Sequence, residues 1–537
     1  MQNRDDRLIK PILLILFLVI ITRNAWVSDD AYITFRTIEN FLAGYGLGYN
    51  PYTRVQAYTH PVWMFLLSGL YFLERIFIPH SPNALYLITV LVSLAVSTLT
   101  LYLLLTKIVE NDLWLQIFTA SAFSLSRAFV DYSTSGLENP LTHLLLTIFL
   151  WVYFAKPGNL FLLTLMASLL TLNRQDVILL VLPALLWAFW NRGVSRQSVK
   201  ALALGFIPVL AWELFSIFYY GFPFPNTAYA KLNTGVEEGV LIQQGLDYLL
   251  NSLHWDPLSL FLVACAAVAA LNVSGKEGAA LKALLIGIGL YLLYIVKIGG
   301  DFMSGRFLTA LFLMAVVILV RSALSRRVLF LVFGIVSLLG VFSARSTLWD
   351  PELPLITSPG LNWTENLLLL DRNGIADERA VYFANNTEGV YLGFVVEGFR
   401  NPEAGSRFAG SEWQYKTTKK AIVEWTLGRR GYAEGPNVHV IDYYALSDPL
   451  LARLPTHQKK WRIGHFGREV PAGYLETLAT GVNQIEDPNL ALYYEELRAI
   501  VQGPLWSGER LVKIWKFNTG QYDHWLKVYL DTNNKGG

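Results

Sequence analysis

The sequence predicts a polytopic α-helical membrane protein that ends in an exported domain of mixed α/β structure. Of the 537 residues, 53% are hydrophobic and only 16% are charged, whereas soluble globular chains carry about 25% charged residues. Long apolar runs recur through residues 1–344, and residues 345–537 are richer in charged residues, Gly, Pro and Asn. We therefore predict a transmembrane domain over 1–344 and an exported domain over 345–537.

The charge and the cysteine content argue against several classes of protein. The formal net charge is +2, so the chain has no general attraction for nucleic acid and no nucleic-acid partner is predicted. The single cysteine, Cys265, lies inside an apolar run, which rules out an intramolecular disulfide and a thiolate metal cluster. Because HExxH, CxxC and Walker-type motifs are also missing from the sequence, we assign no metal ligands.

The apolar runs predict the transmembrane helices. A helix needs about 20 mostly apolar residues to cross a bilayer, and about eleven runs of this chain approach that length. The first lacks a small-x-small cleavage site and is predicted to be a retained signal anchor. The predicted spans are 8–26, 83–106, 113–130, 140–155, 159–173, 176–191, 200–219, 257–272, 281–298, 306–321 and 328–344.

A further apolar run, 61–78, is predicted to lie in the outer interface of the membrane. It contains Glu74 and Arg75, and counting it as a span would place the later basic clusters outside the cell. When it is left out, Lys and Arg collect in the loops on the cytoplasmic side, as is expected of loops inside the cell. Residues 27–82 then form a long first outer loop with two interface helices.

The exported domain shows short strand-like runs and helical ones. The runs 379–384, 389–396 and 437–446 are rich in β-branched and aromatic residues. The runs 473–480 and 490–501 have helical periodicity, and 510–517 is predicted to be a late strand.

Two adjacent carboxylates, Asp29 and Asp30, follow the first span. Apolar residues then recur with helical spacing from Ala31 to Leu42, which predicts an amphipathic helix with Ser28 as its N-cap. One acidic residue is enough to favour a helix N-terminus, and two at a lipid boundary repel each other. The pair is therefore either a helix cap or a catalytic group, and a carboxylate placed there could act as general base on a sugar hydroxyl.

The other outer loops contain most of the remaining polar residues of the membrane domain. Carboxylates suit a sugar hydroxyl, while Arg and Lys suit a phosphate, so the set fits glycosyl transfer from a lipid phosphate. Several of these residues also have a simpler explanation. Arg174 and Asp176 could form an interfacial salt bridge, Lys231 could be a solvated lysine, and Glu138 could mark the start of a helix. The residues are Glu138 in SGLENP, Arg174 and Asp176 in NRQD, Asn226 and Lys231 in PNTAYAK, and Asp301 and Arg306 in GGDFMSGRF.

These motifs resemble those of a known family. SDDAYITFR, GYGLGYNPYTRVQAYTHPVW, SGLENPL, NRQD, FPNTAYAKL and GGDFMSGRFL occur in this order, and VIDYYALSDPLLARLP and WRIGHFGREVPAGYLETL follow in the tail. They are similar to segments of GT-C-fold glycosyltransferases, in particular the terminal arabinofuranosyltransferases of mycobacterial and corynebacterial walls. The resemblance covers most of the chain, although NRQD departs from the expected Thr-Arg-Pro-Asp/Glu form.

The resemblance implies an enzyme that transfers D-arabinofuranose from a polyprenyl-monophosphate donor to an acceptor glycan or protein. It implies a multi-pass protein of the bacterial cytoplasmic membrane, in contact with membrane lipid, whose active site faces the outside. Asp29 is the implied catalytic carboxylate, with Asp30 as the second choice. The residues expected to bind the donor phosphate are Arg174, Lys231, Arg306 and Arg36, and those expected at the sugar or acceptor are Asp301, Glu138, Asp176, Asn226 and His60.

Other readings stay open on the residues alone. The sugar on the lipid phosphate could be mannose, glucose or an aminopentose, and His60 could equally be a structural residue. No cofactor is required, although a weakly bound Mg²⁺ or Mn²⁺ is left open. A lipid-glycan transporter would carry charges near the middle of its spans, and Glu213 is the one residue of that kind in the predicted spans.

Overall fold

The computed structural model describes residues 6–77, 84–343, 345–349, 371–380, 420–458 and 460–534. These residues form seventeen α-helices up to residue 342, followed by two β-strands and five helices from residue 420 onward. The first helices are α1 (Asp6–Arg23), α2 (Asp29–Leu42), α3 (Pro61–Phe77), α4 (Ala84–Leu103), α5 (Leu113–Leu125), α6 (Arg127–Asp131), α7 (Asn139–Ala155), α8 (Leu160–Asn173) and α9 (Ile178–Arg192). They continue with α10 (Arg196–Gly205), α11 (Ile207–Tyr219), α12 (Asn226–Leu232), α13 (Glu238–Trp255), α14 (Pro257–Asn272), α15 (Gly275–Lys297), α16 (Leu308–Arg321) and α17 (Arg326–Phe342). The tail contains β1 (Lys420–Glu424), α18 (Arg429–Ala433), β2 (Val438–Asp442), α19 (Tyr474–Thr480), α20 (Pro488–Val501), α21 (Gly508–Asn518) and α22 (Asp523–Asn534).

The predicted helical class is confirmed at this coarse level. Each apolar run that the sequence assigns to a span overlaps a helix or two consecutive helices. Among the described residues, Ala84–Ile108 and Gly275–Lys297 are long and apolar enough to cross a membrane, and two bent helix pairs raise the total to four if each pair counts as one span. These apolar helices support a membrane location, and the total of about eleven spans stays a prediction.

The chain divides into two compact units, each built from separate stretches. Unit 1 contains Met1–Ser28, Asn83–Val209 and Glu237–Ala404, and unit 2 contains Asp29–Pro82, Leu210–Val236 and Gly405–Gly537. The predicted boundary at residue 344 concerns the side of a membrane on which each stretch lies, and it also stays a prediction.

Helix α16 is the centre of unit 1. Every residue from Leu308 to Val320 is buried, as expected of a helix that is apolar on all sides. The helices around it pack closely where glycine allows. At Gly287 of α15, a Cβ atom would lie 2.0 Å from the carbonyl oxygen of Leu180 in α9, so only a glycine lets these two backbones approach. Tight packing fixes the helix ends, and the loops at those ends carry the polar residues of this unit.

Unit 2 joins Asp29–Pro82 and Leu210–Val236 to the tail. Strands β1 and β2 pair in parallel, with Lys420 opposite Val438, and α18 lies in the connection between them. The side chain of Asn50 bonds both the N–H and the carbonyl oxygen of Val440, at 3.0 and 2.9 Å. Asn50 therefore hydrogen-bonds to the edge of β2, although it lies nearly 400 positions earlier in the sequence.

The structure tests four of the predictions for the tail. The strand in 437–446 is confirmed as β2, and the helices 473–480 and 490–501 are confirmed as α19 and α20. The strand predicted at 510–517 is wrong, because these residues belong to α21. Its buried residues, Arg510, Ile514 and Phe517, recur at helical spacing, and Ser507 caps the helix by accepting a hydrogen bond from the Arg510 N–H. The predicted strand 389–396 and most of 379–384 lie outside the described residues.

Candidate active site

Five of the predicted site residues come together in unit 1. We call this group the ionic cluster; its members are Glu138, Arg174, Asp176, Asp301 and Arg306. Glu138 precedes α7, Arg174 and Asp176 lie between α8 and α9, and the other two lie between α15 and α16. Three loops that are distant in sequence therefore converge on one point.

Arg174 is held on three sides. Its Nε donates to Asp176 Oδ1 at 2.9 Å and its Nη2 donates to Asp176 Oδ2 at 3.1 Å, while Nη1 donates to Glu138 Oε1 at 3.1 Å. The guanidinium also lies over the ring of Phe307, 4.2 Å from its centroid. Planar bidentate pairing with a carboxylate is the geometry that suits Arg best.

Arg306 shares Glu138 with Arg174. Its Nη2 donates to Glu138 Oε1 and Oε2 at 3.1 and 3.3 Å. Its contact with Asp301 is longer, at 3.5 Å between Nη1 and Oδ2. Both arginine side chains are only 11% exposed, and the Glu138 carboxylate is 2% exposed. Glu138 is therefore a buried bridge between two guanidinium groups.

The charges of the ionic cluster do not cancel. Two guanidinium groups face three carboxylates, which leaves one excess negative charge when all are ionised. A further anion could therefore bind an arginine only by replacing a carboxylate. The long Arg306–Asp301 contact is the easiest to exchange, because charge-assisted hydrogen bonds of this kind are normally about 2.7–2.9 Å long. The buried Asp301 Oδ2 makes no hydrogen bond among the described residues, so it can accept one from an additional donor.

Two tyrosines that the sequence did not single out complete this site. The Tyr291 hydroxyl donates to Asp176 Oδ2 at 2.9 Å. The buried Tyr248 hydroxyl accepts from the Phe307 N–H at 3.1 Å and donates to the Met303 carbonyl at 3.2 Å. Both lie in long helices, where a tyrosine in sequence looks the same as one in an interfacial belt.

A second charged group in unit 1 was also missed. Arg127 Nε donates to Asp131 Oδ2 at 2.9 Å, and Arg379 Nε lies 3.7 Å from the other oxygen of that carboxylate. These residues line a small cavity together with Trp255 and Asp256. Arg127 falls in the predicted span 113–130, and an arginine within a span is itself a signal of function.

In unit 2, Asp29 is the first residue of α2, and the tail holds its carboxylate. Oδ2 accepts a hydrogen bond from the Gly428 N–H at 2.9 Å, and Oδ1 accepts one from the Arg429 N–H at 2.8 Å. Burial raises the pKa of Asp29 above 3.8, against the lowering effect of Arg429 and the two amides. The carboxylate is thus bound to the tail. The predicted N-cap at Ser28 is wrong, because its hydroxyl has no hydrogen-bond partner among the described residues.

The side chains of Arg36 and Asn226 donate hydrogen bonds to backbone carbonyls in unit 2. The fully buried Arg36 donates to the carbonyls of Tyr49, Gly431 and Val438, with distances of 2.8 and 2.9 Å to the first and last. Burial lowers the pKa of its guanidinium. The Asn226 amide donates to three carbonyls of residues 445, 446 and 448 at 2.9–3.1 Å. These contacts give both side chains a structural role, and their predicted substrate contacts stay predictions.

The other predicted residues of unit 2 differ in their exposure. His60 is buried just before α3, with Nε2 2.8 Å from the Thr34 hydroxyl. Lys231 is exposed in the last turn of α12, and Asp30 is half-buried beside Asp29. Within the described part of the chain, no group of three His, Cys, Asp or Glu side chains is placed to hold a metal ion.

Comparison with known proteins supports the resemblance. The chain is 27% identical over 525 residues to a terminal beta-(1->2)-arabinofuranosyltransferase of Mycobacterium tuberculosis, covering 82% of this chain and 81% of the relative. It is 28% identical over 345 residues to the protein of the same name from Corynebacterium glutamicum, covering 53% of this chain and 46% of the relative. No protein-family model and no solved structure matches the chain.

These relatives confirm the resemblance that the motifs predicted. They also confirm the prediction that the chain is a glycosyltransferase enzyme. A glycosyltransferase acts on a sugar donor and an acceptor, which sets the two chemical tasks that the site residues must perform.

Proposed function

We propose that this protein is a membrane glycosyltransferase that moves D-arabinofuranose from a polyprenyl-monophosphate donor to an acceptor glycan or glycoprotein. The reaction takes place at the outer face of the bacterial cytoplasmic membrane. The names of the two relatives support the sugar. The observation that carries the proposal is the ionic cluster, where two nearly buried arginines lie at the ends of apolar helices.

The ionic cluster suits the phosphate of a lipid-linked donor. Arg306 binds the phosphate by exchanging its long contact with Asp301 for a phosphate oxygen. Glu138, which is itself held by Arg174, keeps the guanidinium of Arg306 in place during the exchange. The released Asp301 carboxylate then accepts a hydrogen bond from a hydroxyl of the donor sugar. The exposed Lys231 is a further candidate ligand of the phosphate, as a point charge rather than a bidentate group.

Asp29 is the proposed general base. It takes the proton of the acceptor hydroxyl while that oxygen forms a bond to the anomeric carbon of arabinofuranose. The bond from the anomeric carbon to the phosphate oxygen breaks, and polyprenyl monophosphate leaves with the electron pair. The two amides on Asp29 support this role by fixing the orientation of the carboxylate.

A donor panel tests the proposal. The purified protein is incubated with polyprenyl monophosphates carrying arabinofuranose, mannose, glucose or an aminopentose, each with and without a chelator. We expect only the arabinofuranosyl lipid to lose its sugar to an added arabinan or glycoprotein acceptor. Consumption of another lipid-linked sugar in its place would refute the assigned donor. Loss of activity on chelation would show that Mg²⁺ or Mn²⁺ takes part.

A further inference from the structure

Helix α21, in the tail, has a buried side and, opposite it, an exposed side that carries large apolar residues. Arg510, Ile514 and Phe517 face the interior of unit 2 and are buried. The other side exposes Leu511, Val512 and Trp515, and the exposed Trp506 lies just before the helix; we call these four residues the outer apolar face. Trp506 is 82% exposed and Trp515 is 67% exposed. A helix that only covers a core needs one apolar side, so the second side requires another explanation.

The chemistry of the outer apolar face is that of a membrane interface. Tryptophan has an apolar ring with one polar N–H, and it concentrates where hydrocarbon meets water. Lys513, which lies between the two sides of the helix, is paired with Glu496 and Glu509 at 3.3 and 3.0 Å. Its charge is therefore neutralised within unit 2.

The position of α21 connects this face to a second apolar surface. Arg510 donates from Nη1 to the Phe218 carbonyl at 2.7 Å and from Nη2 to the Tyr219 carbonyl at 2.8 Å. The ring of Trp506 lies 4.8 Å from that of Phe218. The start of α21 is thus fixed to the carboxyl end of α11.

Helix α11 exposes an apolar row of its own. Leu210, Leu214 and Ile217 recur at i, i+4 and i+7, and all three are exposed. This helix belongs to one of the two bent pairs that are apolar enough to count as a membrane span. Trp506 of the outer apolar face packs against Phe218, the neighbour in sequence of Ile217 in the apolar row, so one lipid surface can cover both.

We propose that the outer apolar face lies on the lipid bilayer, with Trp506 and Trp515 at the boundary between headgroups and acyl chains. The tail of the protein is then a membrane-bound element, held at the surface that a lipid-linked substrate occupies. The contact of this face with lipid is argued from the apolar surfaces alone and holds whichever sugar the enzyme transfers, while its relation to a lipid-linked substrate rests on the proposed function.

Fluorescence quenching in lipid nanodiscs tests this proposal on the full chain. The single cysteine is first removed as Cys265→Ser. Trp506→Cys and Trp515→Cys are then labelled with an environment-sensitive fluorophore in nanodiscs of phosphatidylethanolamine and phosphatidylglycerol. Glu476→Cys is the matched control, because it is an exposed polar position on α19 of the same unit. Leu511→Cys and Val512→Cys provide a second pair if a tryptophan variant elutes as misfolded protein.

We expect the probes at 506 and 515 to show blue-shifted emission, strong quenching by lipids with a nitroxide on the acyl chain, and weak quenching by aqueous iodide. The probe at 476 should show the opposite pattern. The proposal is wrong if all three probes respond alike to iodide. It is equally wrong if the probes on α21 are shielded from both quenchers, since a protein partner such as a second copy would then cover the face.

Discussion

Asp29 combines two features that bear on its proposed role. Both oxygens of its carboxylate accept backbone hydrogen bonds, and desolvation by burial raises its pKa. A general base must be ionised before it can take a proton, so the raised pKa sets the lower pH limit of activity.

The pH dependence of kcat/KM follows from this shift. A pKa above 3.8 means that Asp29 keeps its proton to a higher pH than an ordinary Asp. Activity should therefore be fully present above the raised pKa and should fall as the pH drops through it. A pH–rate profile measured with the arabinofuranosyl lipid checks this. An acid limb at or below 3.8, or one that persists in the residual activity of Asp29→Asn, would contradict the assignment.

Substitution of Arg306 tests the binding of the donor phosphate. Arg306→Lys keeps the charge but loses the forked geometry that holds Glu138 and that the proposal assigns to the phosphate. A hydrogen bond to a charged group contributes about 1.5–3 kcal/mol, so we expect KM for the donor lipid to rise roughly tenfold or more.

The control for this experiment is Arg326→Lys, which changes a largely exposed ion pair with Asp112. Such surface pairs contribute only about 0–1 kcal/mol, so its kinetics should match those of the parent enzyme. If both variants showed the same KM as the parent, Arg306 would not bind the donor.

At the residue scale, the sequence indicates which charged residues cluster in the site, but it does not indicate which hydrogen bonds the site residues make. Glu138, Arg174 and Arg306 could be chosen because charged residues at helix ends beside apolar runs are costly without partners. Arg36 is predicted from its motif to bind the donor phosphate, but the structure pairs it with backbone carbonyls that no local pattern reveals. The contact of Asp29 with Gly428 spans 399 positions and has no signal in sequence.

At the scale of the elements, close approach between backbones depends on single glycines. Gly428 stands before α18 with an ordinary φ of −65°, so its importance is spatial. A Cβ atom there would lie 2.0 Å from the carbonyl oxygen of Asp29 and 2.3 Å from its Oδ2. Only a residue without a side chain lets the loop before α18 reach Asp29.

We therefore expect Gly428→Ala to push this loop away from Asp29 and to lower kcat. Overpacking of this kind also costs about 1–3 kcal/mol of stability. Gly508→Ala is the control, because a Cβ atom there meets nothing within 4 Å. Turnover and thermal unfolding of the two variants are compared, and equal behaviour would mean that the amide contacts on Asp29 do not matter.

The packing of α15 against α9 gives a second matched pair of glycines. Gly287→Ala would place a methyl group 2.0 Å from the Leu180 carbonyl, whereas Gly289→Ala, on the same helix, meets nothing within 4 Å. Thermal unfolding in detergent should show a lower midpoint for Gly287→Ala and an unchanged or higher one for Gly289→Ala. Similar midpoints would mean that the two helices pack less closely than described.

Among the helices, the periodicity of apolar residues predicts the long ones correctly and can fail for short ones. Long apolar runs such as 257–272 predicted α14 with the right bounds, because burial and helical hydrogen bonding favour the same structure. The short run 510–517 is wrongly predicted as a strand, because a helix with apolar residues on more than one side can resemble the alternating pattern of a strand. The cap at Ser507 was the signal that distinguishes them.

For the whole molecule, the main result is that Asp29–Pro82, Leu210–Val236 and the tail form one compact unit. Asn50 bonds Val440, and Arg36 bonds Val438, so the residues around Asp29 depend on a segment translated much later. Sequence patterns describe each stretch but not such long-range pairing. For this reason the helices and many of the site residues could be predicted, whereas the composition of unit 2 could not.

The most direct test of the proposed chemistry compares two adjacent carboxylates. Transfer of radiolabelled arabinofuranose from its polyprenyl monophosphate is measured for the parent enzyme, for Asp29→Asn and for the matched variant Asp30→Asn. Loss of a general base lowers the rate by about 10²–10⁴-fold, so Asp29→Asn should lose turnover on that scale while Asp30→Asn remains close to the parent. Normal turnover by Asp29→Asn, or a loss confined to Asp30→Asn, would contradict the account.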